Sequence, residues 1–155
     1  MDIKLENIVL DANFNIKFID FGFACHVSGD SGSSYSDELK GTPAYMTPEM
    51  HVGHKYQPVV ADMFSLGVLL FIMYTGVQPF TKADPSDSLY KHIVYNRLDL
   101  FWKCHESRPD SPPLSAEFKD MMSNMLAYQP FMRLNLAEVM LHPLFQTTEE
   151  APMAT

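Results

Sequence analysis

The run from Met63 to Thr75 constrains this chain most. It is 13 residues of almost unbroken apolar character, with Asp62 just before it and Gly76 just after. That length is short for a bilayer span and suits a helix buried in a protein core. The expectation is a central helix over 59–76, with the remaining segments packed around it. Composition supports a packed domain: 46% of the 155 residues are hydrophobic and 19% charged, enough to bury a sizeable core in one unit.

Two later helices carry clear signals. Ser115 is placed to cap a helix on which Phe118, Met121, Met122, Met125 and Leu126 repeat at helical spacing, so this stripe reads as core. Asn135 with Glu138 three residues on forms a capping-box pattern, and Pro143 marks the far end. Between Arg108 and Pro113, three prolines make a connector. Near the N-terminus, Ile8–Leu10 and Ile16–Ile19 are short β-forming runs around the polar break Asp11-Ala12-Asn13, which predicts an antiparallel hairpin. The serine-rich stretch 26–40 predicts a loop too long to be a passive connector. The fold class expected is mainly α with a small β-hairpin, ending in a polar tail over 146–155.

The net charge of −8 argues against broad nucleic-acid or anionic-membrane binding, since either surface repels such a chain. Cys25-His26 and Cys104-His105 lack finger-like spacing, and ordinary reduced cysteines are the better reading. The N-terminal Met-Asp-Ile-Lys-Leu-Glu-Asn carries no apolar signal region, so a cytoplasmic location is expected.

The chemistry concentrates around the hairpin. Asp2, Lys4 and Asn7 precede its first strand, and Asp20 opens Asp-Phe-Gly after its second. A hairpin of this length brings its two ends together. An amide oxygen and a carboxylate suit Mg²⁺, which prefers hard oxygen ligands and few protein contacts. A second carboxylate can accept a hydroxyl proton, and an ammonium can offset charge on a phosphoryl group.

Asp-x-Lys-x-x-Asn at 2–7, Asp20-Phe21-Gly22, and Gly41-Thr42-Pro43 running to Thr47-Pro48-Glu49 follow one another in order. Asp62-Met63-Phe64-Ser65-Leu66-Gly67, Arg133 and His142-Pro143-Leu144-Phe145 come after them. Together they resemble the second half of a eukaryotic protein kinase domain. The resemblance covers residues 1–145, with an activation segment at 20–49. It implies the C-terminal lobe of the α+β kinase fold. It also implies transfer of the ATP γ-phosphoryl group to protein Ser or Thr with Mg²⁺. Asp2 becomes the catalytic base, Lys4 a γ-phosphoryl contact, and Asn7 and Asp20 the metal holders. Phe21, Gly22, Thr42, Asp62 and the pair Glu49–Arg133 become structural elements. Lys4 and Thr42 resemble the serine/threonine type. Thr75–Phe80 is similar to calcium/calmodulin-dependent and AMP-activated kinases, and 83–85 with 100–103 to ciliate members of that kind. Ser28, Ser31, Ser33, Ser34, Tyr35 and Ser36 become candidate phosphorylation sites.

No Gly-x-Gly-x-x-Gly loop occurs in the sequence. The resemblance places that loop, the strand lysine and the adenine-gripping hinge in an N-terminal lobe before residue 1. It also places there a helix that packs on the central one. The expectations are therefore weak ATP binding, low activity and an exposed apolar face on the central helix. The alternative is a truncated, non-catalytic lobe that serves as a scaffold or protein-binding module.

Overall fold

The computed structural model describes residues 2–27 and 34–146. The apolar run lies in a helix spanning Pro58–Thr75, one residue earlier at each end than expected. Proline begins it at no hydrogen-bonding loss, because a first-turn amide has no partner within the helix. Gly76 ends it in the left-handed conformation, φ 73°, with its N–H bonded to the Ile72 carbonyl. By length and composition alone this helix passes as a membrane span. Nine of its residues, including Phe64, Val68 and Phe71, are nevertheless buried inside the protein.

In chain order, β1 (Ile8–Leu10) and β2 (Ile16–Phe18) come first, followed by α1 (Pro48–His51) and the central α2 (Pro58–Thr75). The helices α3 (Tyr90–Val94), α4 (Leu98–Glu106), α5 (Ala116–Met125), α6 (Leu136–Met140) and α7 (Pro143–Gln146) complete the order. The strands pair antiparallel, with Ile8 opposite Phe18, Val9 opposite Lys17 and Leu10 opposite Ile16. The Asp11 carboxylate closes the turn by accepting the Asn13 and Asn15 amides, both at 2.9 Å. The Ile19 amide donates to the Asn7 carbonyl at 2.9 Å, in register with the ladder, and closes its open end.

The core forms where α2 meets α5. A Cβ added to Gly67 would lie 2.9 Å from Met125 Cβ and 3.2 Å from Leu126 Cδ2, so the missing side chain lets the two helices touch. All five stripe residues of α5 are buried. Ser115 caps that helix through the Phe118 amide, 3.1 Å. Both arms of the Asn135–Glu138 capping box are present at the start of α6. Aromatic rings fill the space around α2. Phe64 contacts Phe80 and Tyr90, while Phe71 contacts Phe101, Trp102 and Phe118. Each such side chain contributes roughly 1.5–3 kcal/mol on burial.

Cys104 is exposed while its neighbour His105 is buried. Adjacent helix positions point about 100° apart, so the two cannot converge on one ion. The His105 Nε2 lies 3.0 Å from the Pro79 carbonyl oxygen instead. Among the described residues no cluster of three or more His, Cys, Asp or Glu could hold a metal.

The expected open face of α2 is present but limited. Val59, Met73 and Tyr74 are exposed, whereas Leu66 and Leu70 are half-buried. The hairpin and its exit carry more exposed apolar surface: Leu10, Phe14, Ile16, Phe18, Phe21 and Phe23 are all exposed. Such a surface marks a contact face.

Candidate functional site

Three segments meet at Asp2. A single 3-10 turn, Leu5–Asn7, follows Lys4 and carries Asn7 inward. The Asn7 side-chain amide donates to the Asp2 carbonyl at 2.9 Å, which settles which end of that amide is the oxygen. The backbone bond from Ile19 to Asn7 then brings Asp20 to the same place. Asp20 adopts φ 60°, a conformation Asp tolerates better than most residues. Its Oδ1 accepts the Gly22 amide at 3.0 Å. Asp2, Lys4, Asn7 and Asp20 are thus gathered at one end of the hairpin.

The third segment is 41–47. Gly41 has φ 119°, and a Cβ there would sit 3.3 Å from Asp2 Oδ1. Glycine therefore permits both the turn and the close pass over the carboxylate. Asp2 Oδ1 accepts the Thr42 amide at 3.0 Å, and Asp2 Oδ2 accepts the Thr42 hydroxyl at 3.3 Å. Lys4 Nζ lies 2.7 Å from Asp2 Oδ2 and donates to Thr42 Oγ1 at 2.8 Å. Asp2, Lys4 and Thr42 form a closed triangle that ties the hairpin to the distal segment.

The electrostatics follow from this triangle. Burial pushes the Asp2 carboxyl up, but hydrogen bonds from Lys4 and Thr42 and the Lys4 charge outweigh it, leaving the group below the usual carboxylate value. The hydrogen bond to Asp2 raises the Lys4 ammonium. Partial desolvation opposes that rise, and the charges of Asp2, Glu6 and Asp20 reinforce it. Asp2 is accordingly a carboxylate and Lys4 a cation at neutral pH. Asp20 is near enough to act on Lys4.

Asp62, on α2, lines a small cavity of about 50 Å³ with Asp2, Gly41, Thr42 and Tyr45. Burial raises its carboxyl. Tyr45 was not singled out from sequence. It is buried, its hydroxyl accepts the Leu5 amide at 3.5 Å, and its carbonyl accepts the Ser65 hydroxyl at 2.8 Å. It therefore bolts the site to α2. Its position as the aromatic residue within 41–49 was the available signal. Glu49 and Arg133 form a two-pronged pair behind the site, both bonds 2.7 Å. Phe21 is exposed and joins none of these contacts. Of the candidate phosphorylation sites, Ser34, Tyr35 and Ser36 are described, whereas Ser28, Ser31 and Ser33 lie outside the described residues.

An amide oxygen on Asn7 and a carboxylate on Asp20 form a hard-oxygen donor pair that fits Mg²⁺. Such an ion keeps several waters or takes phosphate oxygens as its remaining ligands. Beside that pair stand one buried carboxylate and one cation. The arrangement can orient a hydroxyl and stabilise charge on a transferring phosphoryl group.

Comparison with known proteins agrees with this geometry. Residues 1–145 match the family model of the protein kinase domain. The chain is 35% identical to testis-specific serine/threonine-protein kinase 2 of Mus musculus, over 99% of this chain and 41% of that protein. It is 33% identical to the phosphorylase b kinase gamma catalytic chain, liver/testis isoform, of Homo sapiens, over 96% of this chain and 35% of that protein. A cell cycle serine/threonine-protein kinase of Saccharomyces cerevisiae is 34% identical over 95% of this chain and 19% of its own length. The chain belongs to the protein kinase family. It spans less than half the length of these curated relatives. Its two-stranded sheet and predominance of helices are those of a kinase-domain segment.

Proposed function

We propose that this chain supplies the phosphoryl-transfer face of a serine/threonine protein kinase. The observation that carries the reading is the Asp2–Lys4–Thr42 triangle, with Asn7 and Asp20 drawn to its edge. Asp2 is held as a carboxylate and is the group that orients a substrate Ser or Thr hydroxyl and takes its proton. The hydroxyl oxygen forms the new bond to the γ-phosphorus as the bond to the leaving ADP oxygen breaks. Lys4 lies beside the negative charge carried through that step. Asn7 and Asp20 would hold Mg²⁺, which would supply neutralisation of phosphate charge. The Glu49–Arg133 pair fixes the end of the 41–49 segment that packs on these groups.

The 155 residues as they stand hold little of the nucleotide. Their sequence has no glycine-rich phosphate loop, and we assign that loop, the strand lysine and the adenine hinge to an N-terminal lobe. Positioning dominates phosphoryl transfer, so these residues alone are poorly active. A second reading, a binding module, draws support from the core, which packs around α2 in the described residues.

The test is transfer of labelled phosphate from ATP to a Ser/Thr peptide mixture. The 155-residue chain is compared with the same chain joined to a nucleotide-gripping N-terminal lobe. Activity is expected only in the joined protein, with Asp2→Asn and Asp20→Ala each lowering it by about 10²-fold or more. Joined protein indifferent to Asp2→Asn overturns the assignment of the base. Robust transfer by the 155 residues alone, lost in Asp20→Ala, overturns their inactivity.

A further inference from the structure

A second concavity lies away from the transfer site. It is a surface cleft of about 600 Å³ between the segment after α1 and the segment after α5, lined by Tyr35, Glu49, His54, Lys55, Tyr56 and Tyr128 among others. One wall belongs to the activation segment. Ser36 and Tyr56 exchange both backbone hydrogen bonds, 2.8 and 2.9 Å, and the Tyr56 hydroxyl donates to the Glu38 carbonyl at 2.8 Å. Tyr35 sits beside that clasp and is 65% exposed.

Charge distinguishes this cleft. The chain carries −8 overall, yet the lining carboxylate, Glu49, is already neutralised by Arg133 through two hydrogen bonds. Lys55 and His54 are exposed on the same wall. The bridge register sets Asp37 opposite Lys55, but among the described residues Lys55 makes no ion pair, and Asp37 does not line the cleft. The Lys55 ammonium is thus left as an unneutralised charge on this wall of an otherwise acidic protein, with the His54 ring beside it as a hydrogen-bonding group. Three tyrosine rings supply rigid contact area at little conformational cost, as at many protein interfaces.

We propose that this cleft docks an extended acidic peptide segment of a protein partner. Carboxylates of the segment face Lys55 and His54, and its backbone and aliphatic stems lie across Tyr35, Tyr56 and Tyr128. The long polyanion of a nucleic acid meets the net repulsion of the whole chain, whereas a short acidic segment meets chiefly the Lys55 ammonium. Because Tyr35 forms part of the wall, the cleft is complete only when the activation segment is clasped at Ser36 and Tyr56. The proposal rests on the kinase reading only in making the docked segment part of a phosphorylation substrate. Binding is read without nucleotide, so failure of phosphotransfer leaves it standing.

Fluorescence anisotropy of a short fluorescein-labelled polyglutamate peptide on the 155-residue chain tests this. Polyglutamate is expected to bind, and its polylysine counterpart is not. Lys55→Glu is expected to weaken binding about tenfold, and added salt to weaken it further. Both Lys55 and Tyr35 are exposed, so Lys55→Glu and Tyr35→Ala keep the fold, which circular dichroism verifies. Tyr35→Ala is expected to lower affinity severalfold. Undetectable polyglutamate binding, equal binding of polylysine, or binding indifferent to both substitutions overturns the proposal. An oligoribonucleotide that displaces the peptide at lower concentration also overturns it, by identifying a general polyanion site.

Discussion

The Arg133 guanidinium meets the Glu49 carboxylate through two hydrogen bonds of 2.7 Å, across 84 positions of sequence. Its Nε also donates to the Ala127 carbonyl at 3.0 Å, and its Cζ lies 4.9 Å from the Phe64 ring centroid. The pair is buried, with 0% of the Arg133 side chain and 11% of the Glu49 side chain exposed. Replacing one partner strands the other charge away from water.

Arg133→Ala is therefore expected to lower stability by about 3–5 kcal/mol, measured by urea unfolding. Glu49→Gln keeps shape and removes charge, and is expected to be destabilising as well. A loss below about 1 kcal/mol in both variants would show that the pair adds nothing the surrounding packing does not already supply.

Gly67 makes a second, opposite kind of test. Alanine favours a helix interior by roughly 1 kcal/mol over glycine. Here its Cβ would press on Met125 Cβ at 2.9 Å, and overpacking costs about 1–3 kcal/mol. Gly67→Ala is expected to lower the melting temperature despite its better propensity. A raised melting temperature would mean that α2 and α5 can move apart freely.

His105 couples the core to pH. Burial pushes its imidazole below the ordinary value, the bond to the Pro79 carbonyl opposes this, and the Arg108 charge adds to it. The unfolded chain takes up this proton first as pH falls. His105 thus contributes full stability above about pH 6.5 and loses it progressively below that value. In His105→Phe the acid-side slope below about pH 6.5 is expected to flatten relative to the parent. Parallel slopes in parent and variant would assign the acid sensitivity elsewhere.

Lys4 is the first group that pulls the Asp2 carboxyl down against burial. Removing its ammonium in Lys4→Ala is expected to move the Asp2 titration upward, as followed by carbon NMR of the carboxyl. Thr42→Val removes the hydroxyl but keeps the Thr42 amide bond, and is expected to move it less. An unmoved Asp2 in Lys4→Ala would break the link between the triangle and the ionisation of Asp2.

What could be read in advance follows the range of each signal. The Phe118–Leu126 stripe, the Ser115 cap and the Asn135–Glu138 box act within one or two turns, and each stands as expected. The hairpin was legible for the same reason, although its second strand ends at Phe18, one residue before the expected run does. The short α3 gave no warning. Its N-terminal turn is organised by Asp87, whose Oδ1 accepts the Leu89 and Tyr90 amides, each at 2.9 Å. Burial of His105 was also hidden, because a ring lodged among Phe71 and Phe101 depends on contacts from elsewhere in the chain. At the site, local spacing marked Asp2, Lys4, Asn7 and Asp20. The closing of Thr42 over Asp2 spans 40 positions and has no local signature.

Separation along the chain also has a meaning in time. During synthesis Glu49 leaves the ribosome 84 residues ahead of Arg133. At ribosomal rates that interval is roughly 4–17 s. A carboxylate without its guanidinium stays hydrated, so the strip from Gly41 to Glu49 is not locked in place before Arg133 has been made. The nascent polypeptide therefore passes that interval with the 41–49 strip unset, and a chain that stalls before residue 133 leaves the strip open.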